Sequence, residues 1–211
     1  MLTRAHRQAL NGGPSLERRS EPPARAAAAI PPSRRLMINL HKTSTTLGTW
    51  DLVVESSLAR SRARIRATGL ASCHLVDRLS VASRRLSDYF SCVQPTPFLD
   101  DTTTKNVLVY DGRLTGVVDV DWICYGDPLF TVGLTRAAIL AAGANPDYTE
   151  YWSSLLSLSP PQVAALDFYT ALFCANFVSE VGHAFNGNTD SQGDQRITRL
   201  ESIALTHLAA L

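Results

Sequence analysis

Between Gln94 and Pro128 the chain abandons helical spacing, and this interruption limits its fold more than any other feature of the sequence. On either side, apolar residues recur three and four apart, the spacing that builds one face of a helix. Inside the interruption, Val107-Leu108-Val109 and Leu114–Val118 are short apolar runs joined through Asp111-Gly112. Asp and Gly tolerate the positive φ of a tight turn, so this pattern predicts an antiparallel hairpin. One hairpin set among helices places the chain in the α+β class, mostly α, and argues against an alternating α/β sheet.

The helical segments can be followed in order. Trp50, Val53, Val54, Ser57 and Leu58 share one face of a first helix. Arg60, Arg62, Arg64 and Arg66 come next; spaced every second residue they spread around a helix, which predicts a solvated surface instead of a phosphate-binding stripe. His74–Cys92 has helical spacing through Leu75, Leu79, Ala82, Leu86 and Phe90, and Gln94-Pro95-Thr96-Pro97 ends it, because a proline disfavours helix in the residue before it. Beyond Pro128, helices are expected over Leu129–Ala142, over Tyr148–Leu156, from Ser159-Pro160-Pro161 to Ala184, and over Arg196–Leu211. The third of these carries Phe168, Leu172, Phe173, Phe177 and Val181 as a buried face. Gly187–Gly193 is a polar loop.

Residues 1–36 differ from the rest. Pro14, Pro22, Pro23, Pro31 and Pro32 break any helix, and seven arginines stand against Glu17 and Glu21. This is the composition of a disordered basic leader, with an organelle transit peptide and a misassigned start as alternatives. The folded domain is expected over 37–211, where thirteen Lys and Arg meet seventeen Asp and Glu. That mildly acidic body suits a cationic small molecule, or simply a soluble surface. The whole chain, at net charge +1, has no general pull toward nucleic acid or membrane. Ala137–Ala142 and Ala171–Val178 are far shorter than the ~20 apolar residues of a membrane span. Cys73, Cys92, Cys124 and Cys174 lack the spacing of a zinc site or a disulfide framework and predict reduced thiols in a cytoplasmic protein.

Five aspartates crowd the hairpin: Asp100, Asp101, Asp119, Asp121 and Asp127. Asp101 and Asn106 flank the entrance to the first strand, and Asp119 and Asp121 follow the second. The open ends of a hairpin lie together, so Asp101, Asn106 and Asp119 should meet in space. Two carboxylates and an amide make a hard-oxygen site of the kind Mg²⁺ prefers, and a carboxylate beside it can orient a hydroxyl and take its proton. Ordinary turn aspartates are the plainer alternative.

The motifs carry a resemblance. Asp101-Thr-Thr-Thr-Lys-Asn106 leading into Val-Leu-Val has the D-x-x-x-x-N form of a kinase catalytic loop. Gly116-Val-Val-Asp119 ends the next strand, and Gly126-Asp127-Pro128 opens the following helix. Three motifs at these separations resemble the aminoglycoside phosphotransferase family, whose fold is protein-kinase-like. The resemblance implies a C-terminal lobe with one β-hairpin at the catalytic loop. It also implies transfer of the γ-phosphoryl of ATP (or GTP) to a hydroxyl of a small molecule. In that reading Asp101 is the catalytic base, Asn106 and Asp119 hold Mg²⁺ against the nucleotide, and Asp121 assists at the metal. Asp127 is structural, capping the next helix and tying down the catalytic loop. Asp147, Glu150, Asp167 and Glu180 are candidates for contacting a cationic acceptor.

Two departures are visible. Leu99 and Asp100 stand where the family usually has His and Gly, and Asp100 puts like charge beside Asp101. A glycine-rich loop and its phosphate-gripping lysine, parts of a kinase N-terminal lobe, are not found: Lys42 and Lys105 are the only lysines, and His41 falls near the expected lobe junction. Most of that lobe is missing from the pattern, so an exposed apolar face is expected where it would pack, a surface for self-association. An inactive, pseudokinase-like binding module is therefore the alternative reading. A third takes Asp119-Val-Asp121 as the D-x-D clamp of a nucleotide-sugar glycosyltransferase.

Overall fold

A computed structural model describes residues 36–39, 44–47, 49–120, 123–183 and 193–211, with the backbone alone for the first two segments. The leader up to residue 35, His41, Lys42, Asp121 and the greater part of the 187–193 loop lie outside the described residues.

The fold is mixed α+β and mostly helical. Its centre is the long helix α6 (Pro160–Glu180). From Ala165 to Ser179 this helix is buried on nearly every side, with Phe168, Tyr169, Leu172 and Cys174 fully enclosed. A helix apolar all around must be wrapped by others. The wrapping is done by α1 (Trp50–Thr68), α2 (His74–Arg85), α4 (Leu129–Ala141) and α7 (Gly193–Leu208). The face predicted for α1 is the buried one: Trp50, Val53, Val54, Ser57 and Leu58 all point into the core. Its end is marked by Gly69, whose left-handed backbone lets its N–H reach the Ile65 carbonyl at 2.9 Å.

Close helix approach needs small residues at the crossing. At Gly133 of α4, an added Cβ would fall 2.5 Å from the Tyr169 Cβ and 3.0 Å from its backbone carbon. That glycine lets α4 lie directly on α6. α1 meets α6 through polar side chains as well: Asn176 Oδ1, buried, accepts from Ser61 Oγ at 2.6 Å and from Ser57 Oγ at 3.2 Å.

Two expectations about the elements need correction. The helix predicted over His74–Cys92 is two helices, α2 and α3 (Ser87–Cys92), broken at Leu86. Burial of Leu75, Leu79, Ala82 and Phe90 keeps the predicted spacing, so the break escapes a reading by periodicity. The single β-hairpin is also an underestimate. There are three two-stranded antiparallel pairs among the described residues: β1 (Leu36–Asn39) with β2 (Ser44–Leu47), β3 (Thr96–Leu99) with β6 (Ile123–Gly126), and β4 (Val107–Tyr110) with β5 (Arg113–Val117). β3 contains Pro97, which argues against a strand in a central position. It is tolerated here because, among the described residues, β3 is paired on one side only. The predicted hairpin is present as β4–β5, with Asp111 and Gly112 both at positive φ in its turn.

The helix that follows α4, α5 (Asp147–Leu156), leaves Tyr148, Tyr151 and Leu155 exposed. α6 opens with Gln162 Oε1 accepting the Ser159 backbone N–H at 2.9 Å, half of a capping box with proline in the first turn. The four cysteines are all thiols. No helix among the described residues is long and apolar enough to cross a membrane.

Candidate functional site

The two outer strands decide where the acidic residues sit. β3 pairs with β6 from Thr96↔Gly126 to Leu99↔Ile123, and β4 pairs with β5 from Val107↔Val117 onward. The β4–β5 hairpin is thus nested inside the β3–β6 pair. Residues 100–106 and 118–122 are the two connectors, and each runs from the same end of the outer pair to the same end of the inner one. The sequence places Asp100, Asp101 and Asn106 on the first connector and Asp119 and Asp121 on the second. A hydrogen bond joins them directly: the Val118 N–H donates to the Asn106 carbonyl at 2.9 Å.

The first connector is held from within and from below. Asp101 Oδ1 accepts the Thr103 N–H at 2.9 Å, and Lys105 Nζ lies 3.1 Å from Asp101 Oδ2. Asn106 closes a short 3₁₀ turn over Thr104–Asn106 and donates its Nδ2 to the Asp101 carbonyl at 3.3 Å, which leaves its amide oxygen to accept. From below, α4 contributes two threonines one turn apart. Thr131 Oγ1 donates to the Asp100 carbonyl at 3.3 Å, and Thr102 Oγ1 lies 3.1 Å from Thr131 Oγ1 and 3.4 Å from Thr135 Oγ1. Thr131 and Thr135 were not recognised as site residues. Their signal was two buried hydroxyls at i, i+4 in an apolar helix.

Electrostatics separates the two neighbouring aspartates. Burial raises the Asp100 carboxyl above its ordinary range and the adjacent Asp101 adds to this, against a hydrogen bond from the Cys124 thiol. Like charge was the expected cause; burial is the larger one. Burial also pushes Asp101 up, but the Thr103 hydroxyl and N–H and the Lys105 ammonium outweigh it, and its carboxyl lies below the ordinary range. The Thr103 hydroxyl sits beside Asp101 without a well-angled hydrogen bond, and is buried.

Asp119 is exposed and sits at φ 58, a left-handed backbone that non-glycine residues adopt rarely. Asp121 lies outside the described residues. Among the described residues, no three His, Cys, Asp or Glu side chains gather as a metal-binding group. The set of interest holds two carboxylates and one amide.

Asp127 has a different environment. It is 4% exposed. Its Oδ2 accepts from the Tyr89 hydroxyl at 2.7 Å and the Tyr169 hydroxyl at 2.8 Å, and its Oδ1 accepts the Leu129 N–H at 3.0 Å in the first turn of α4. Tyr169 in turn accepts from Trp50 Nε1 at 2.6 Å. Asp127 therefore caps α4 and joins α1, α3 and α6. These bonds go to helices, whereas a tie to the catalytic loop was expected. Gly126 is required by the same assembly, since an added Cβ would overlap the Trp50 ring. Gly126 and Asp127 thus each have a packing reason to be what they are.

The acidic residues named for acceptor contact are scattered. Asp167 accepts from His207 Nδ1 at 2.8 Å and lies 3.6 Å from Arg136 Nη1, linking α6 to α7 and α4. Glu180 lies 3.8 Å from Arg64, and burial raises its carboxyl against the surrounding arginines. Asp147 accepts from Asn145 Nδ2 at 2.7 Å, and Glu150 is exposed. Arg136 and His207 already occupy Asp167, and Arg64 lies against Glu180.

The exposed side of the hairpin is apolar: Leu108, Val109, Tyr110, Leu114, Val117 and Val118 are all open to solvent. No family model, curated protein or solved structure matches this chain.

Proposed function

We propose that the chain is a phosphotransferase of the kinase type, and that its site lies between the 100–106 and 118–122 connectors. The observation that carries this reading is the nesting of β4–β5 inside β3–β6, which sets Asp101 and Asn106 on one connector beside Asp119 on the other. The resemblance of the three motifs to aminoglycoside phosphotransferases supplies the reaction class, with a C-terminal kinase-like lobe as the fold.

The residues fit the groups that reaction needs. Asn106 has an amide oxygen left to accept and Asp119 an exposed carboxylate, both hard oxygen donors. They would hold Mg²⁺, with Asp121 as a further donor. Bound Mg²⁺ would supply charge neutralisation on the phosphates of ATP or GTP. The protein's own part is positioning. Asp101, with Oδ1 fixed by the Thr103 N–H, would orient the acceptor hydroxyl and take its proton. Thr131 and Thr135 keep the connector seated on α4 so that this carboxylate does not drift. The acceptor is a small molecule with a free hydroxyl, and the acidic body favours a cationic one in the cytoplasm.

Calorimetric titration with ATP in Mg²⁺, beside Asp119→Asn, tests the reading. Mg²⁺-dependent binding that the variant loses supports it; a folded chain that ignores ATP removes it. A second reading, a binding module without turnover, is favoured by the apolar hairpin face, which offers a surface for self-association or a partner. It predicts no phosphoryl transfer to any acceptor whether or not ATP binds. The D-x-D glycosyltransferase reading finds less support, because the described strands are antiparallel pairs and do not alternate with helices in a sheet.

A further inference from the structure

Lys105 has an ammonium at the reacting centre and no structural need to be there. It lies 3.1 Å from Asp101 Oδ2, yet its side chain is 70% exposed. An exposed ion pair of this kind contributes little to stability and exchanges partners readily. Nor does Asp101 depend on it for orientation, since the other carboxylate oxygen is already fixed by the Thr103 N–H at 2.9 Å. Lys105 is one of two cations between Leu99 and Val120; Arg113, the other, pairs across the far turn of the hairpin with Tyr110. The buried Thr103 hydroxyl, without a well-angled partner at the same carboxylate, is a second group left with capacity for a ligand.

We propose that Lys105 contacts the terminal phosphoryl group during transfer, an inference that rests on the phosphotransferase reading. The geometry is direct. A phosphoryl group close enough to attack by a hydroxyl held on Asp101 is also within reach of an ammonium 3.1 Å from that carboxylate. In the transfer, the acceptor oxygen bonds to the terminal phosphorus and the bond from phosphorus to the bridging oxygen breaks. The hydroxyl proton passes to Asp101, and the nucleoside diphosphate leaves with the electron pair. Lys105 exchanges Asp101 for a non-bridging oxygen of the moving group and offsets its charge. A cation thus acts from the catalytic loop itself, on the side of the acceptor.

The test compares ATP with ADP, because only ATP carries the terminal phosphoryl group. Affinities in Mg²⁺ are measured by calorimetry for the full chain and for Lys105→Ala, Lys105→Arg and Asp101→Asn, with melting curves to show that each is folded. Lys105→Ala should weaken ATP by about 10-fold or more while ADP is unchanged. Lys105→Arg should restore most of the loss. Asp101→Asn, which releases Lys105 and removes a negative charge, should bind ATP at least as tightly as the parent. If Lys105 serves only to hold Asp101, the alanine variant binds ATP and ADP like the parent, and the role is overturned while the phosphotransferase reading stands. A parent chain that binds no ATP overturns both.

Discussion

Asp119 and Asp127 are eight residues apart and are held in opposite ways. Asp127 is buried, accepts three hydrogen bonds and ties three helices to the start of a fourth. Asp119 is exposed, on a left-handed backbone, at the end of a strand whose neighbours are also exposed. The contrast extends to the regions around them. Helices α1, α2, α4, α6 and α7 share one continuous apolar core, while the β4–β5 hairpin leaves its apolar side chains in water. A carboxylate that serves the fold has its acceptor capacity filled by the protein. One that serves a ligand must keep that capacity open, and the structure around it gains nothing from its charge.

The largest effect should come from the buried member. Asp127→Ala removes the acceptor for a buried tyrosine hydroxyl, a half-buried one and a helix N–H, at a cost of about 3 kcal/mol or more in a denaturant titration. Gly126→Ala should cost about 1–3 kcal/mol in the same assay by forcing Trp50 aside.

The same network should fail at alkaline pH. Burial, and then the charge of Asp127, raises Tyr89 above its ordinary 10.0, and the same causes raise the fully buried Tyr169. A raised acid contributes stability that is complete below its unfolded value and lost as pH climbs past it. Melting temperature should therefore fall above pH 10 or so, the unfolded tyrosine value. Tyr89→Phe combined with Tyr169→Phe should flatten that fall. Unchanged curves in the double variant would show that the tyrosines do not set it.

Thr131→Val tests the seam between the two regions. Losing the hydrogen bond to the Asp100 carbonyl should cost about 1 kcal/mol. Because Thr131 holds the connector to the core, the variant should also weaken Mg²⁺-dependent ATP binding, read by calorimetry.

Asp119→Asn should leave stability within about 0.5 kcal/mol while abolishing that binding. A destabilisation as large as that of Asp127→Ala would erase the contrast drawn above. The smallest effect on the fold is expected from Val109→Lys with Leu114→Lys on the exposed hairpin. The pair should leave the melting curve in place and lower self-association measured by sedimentation. An association that persists would move the contact surface elsewhere, with the exposed Tyr151 and Leu155 of α5 as the next to test.

What the sequence by itself determined was local. Periodicity identified the helices and the buried face of α1, because a helix that packs must repeat its apolar residues every turn. Asp111-Gly112 identified the hairpin, since few residue pairs accept two consecutive positive φ angles. The order of Asp101, Asn106 and Asp119 around that hairpin was enough to name a candidate site. Contacts between distant residues were decided by the tertiary structure alone. The β3–β6 pair joins Thr96 to Gly126 across thirty residues, and its proline disguised it. The break at Leu86 left the apolar spacing intact, and the threonine clasp from α4 depends on where a later helix settles. The side-chain partners of Asp127, Asp167 and Glu180 come from elements 31 to 116 residues away, so nothing near them in the chain could distinguish a cross-link from a ligand contact. Local conformation is governed by neighbours in sequence, whereas the environment of a charge is set by whatever the fold packs against it.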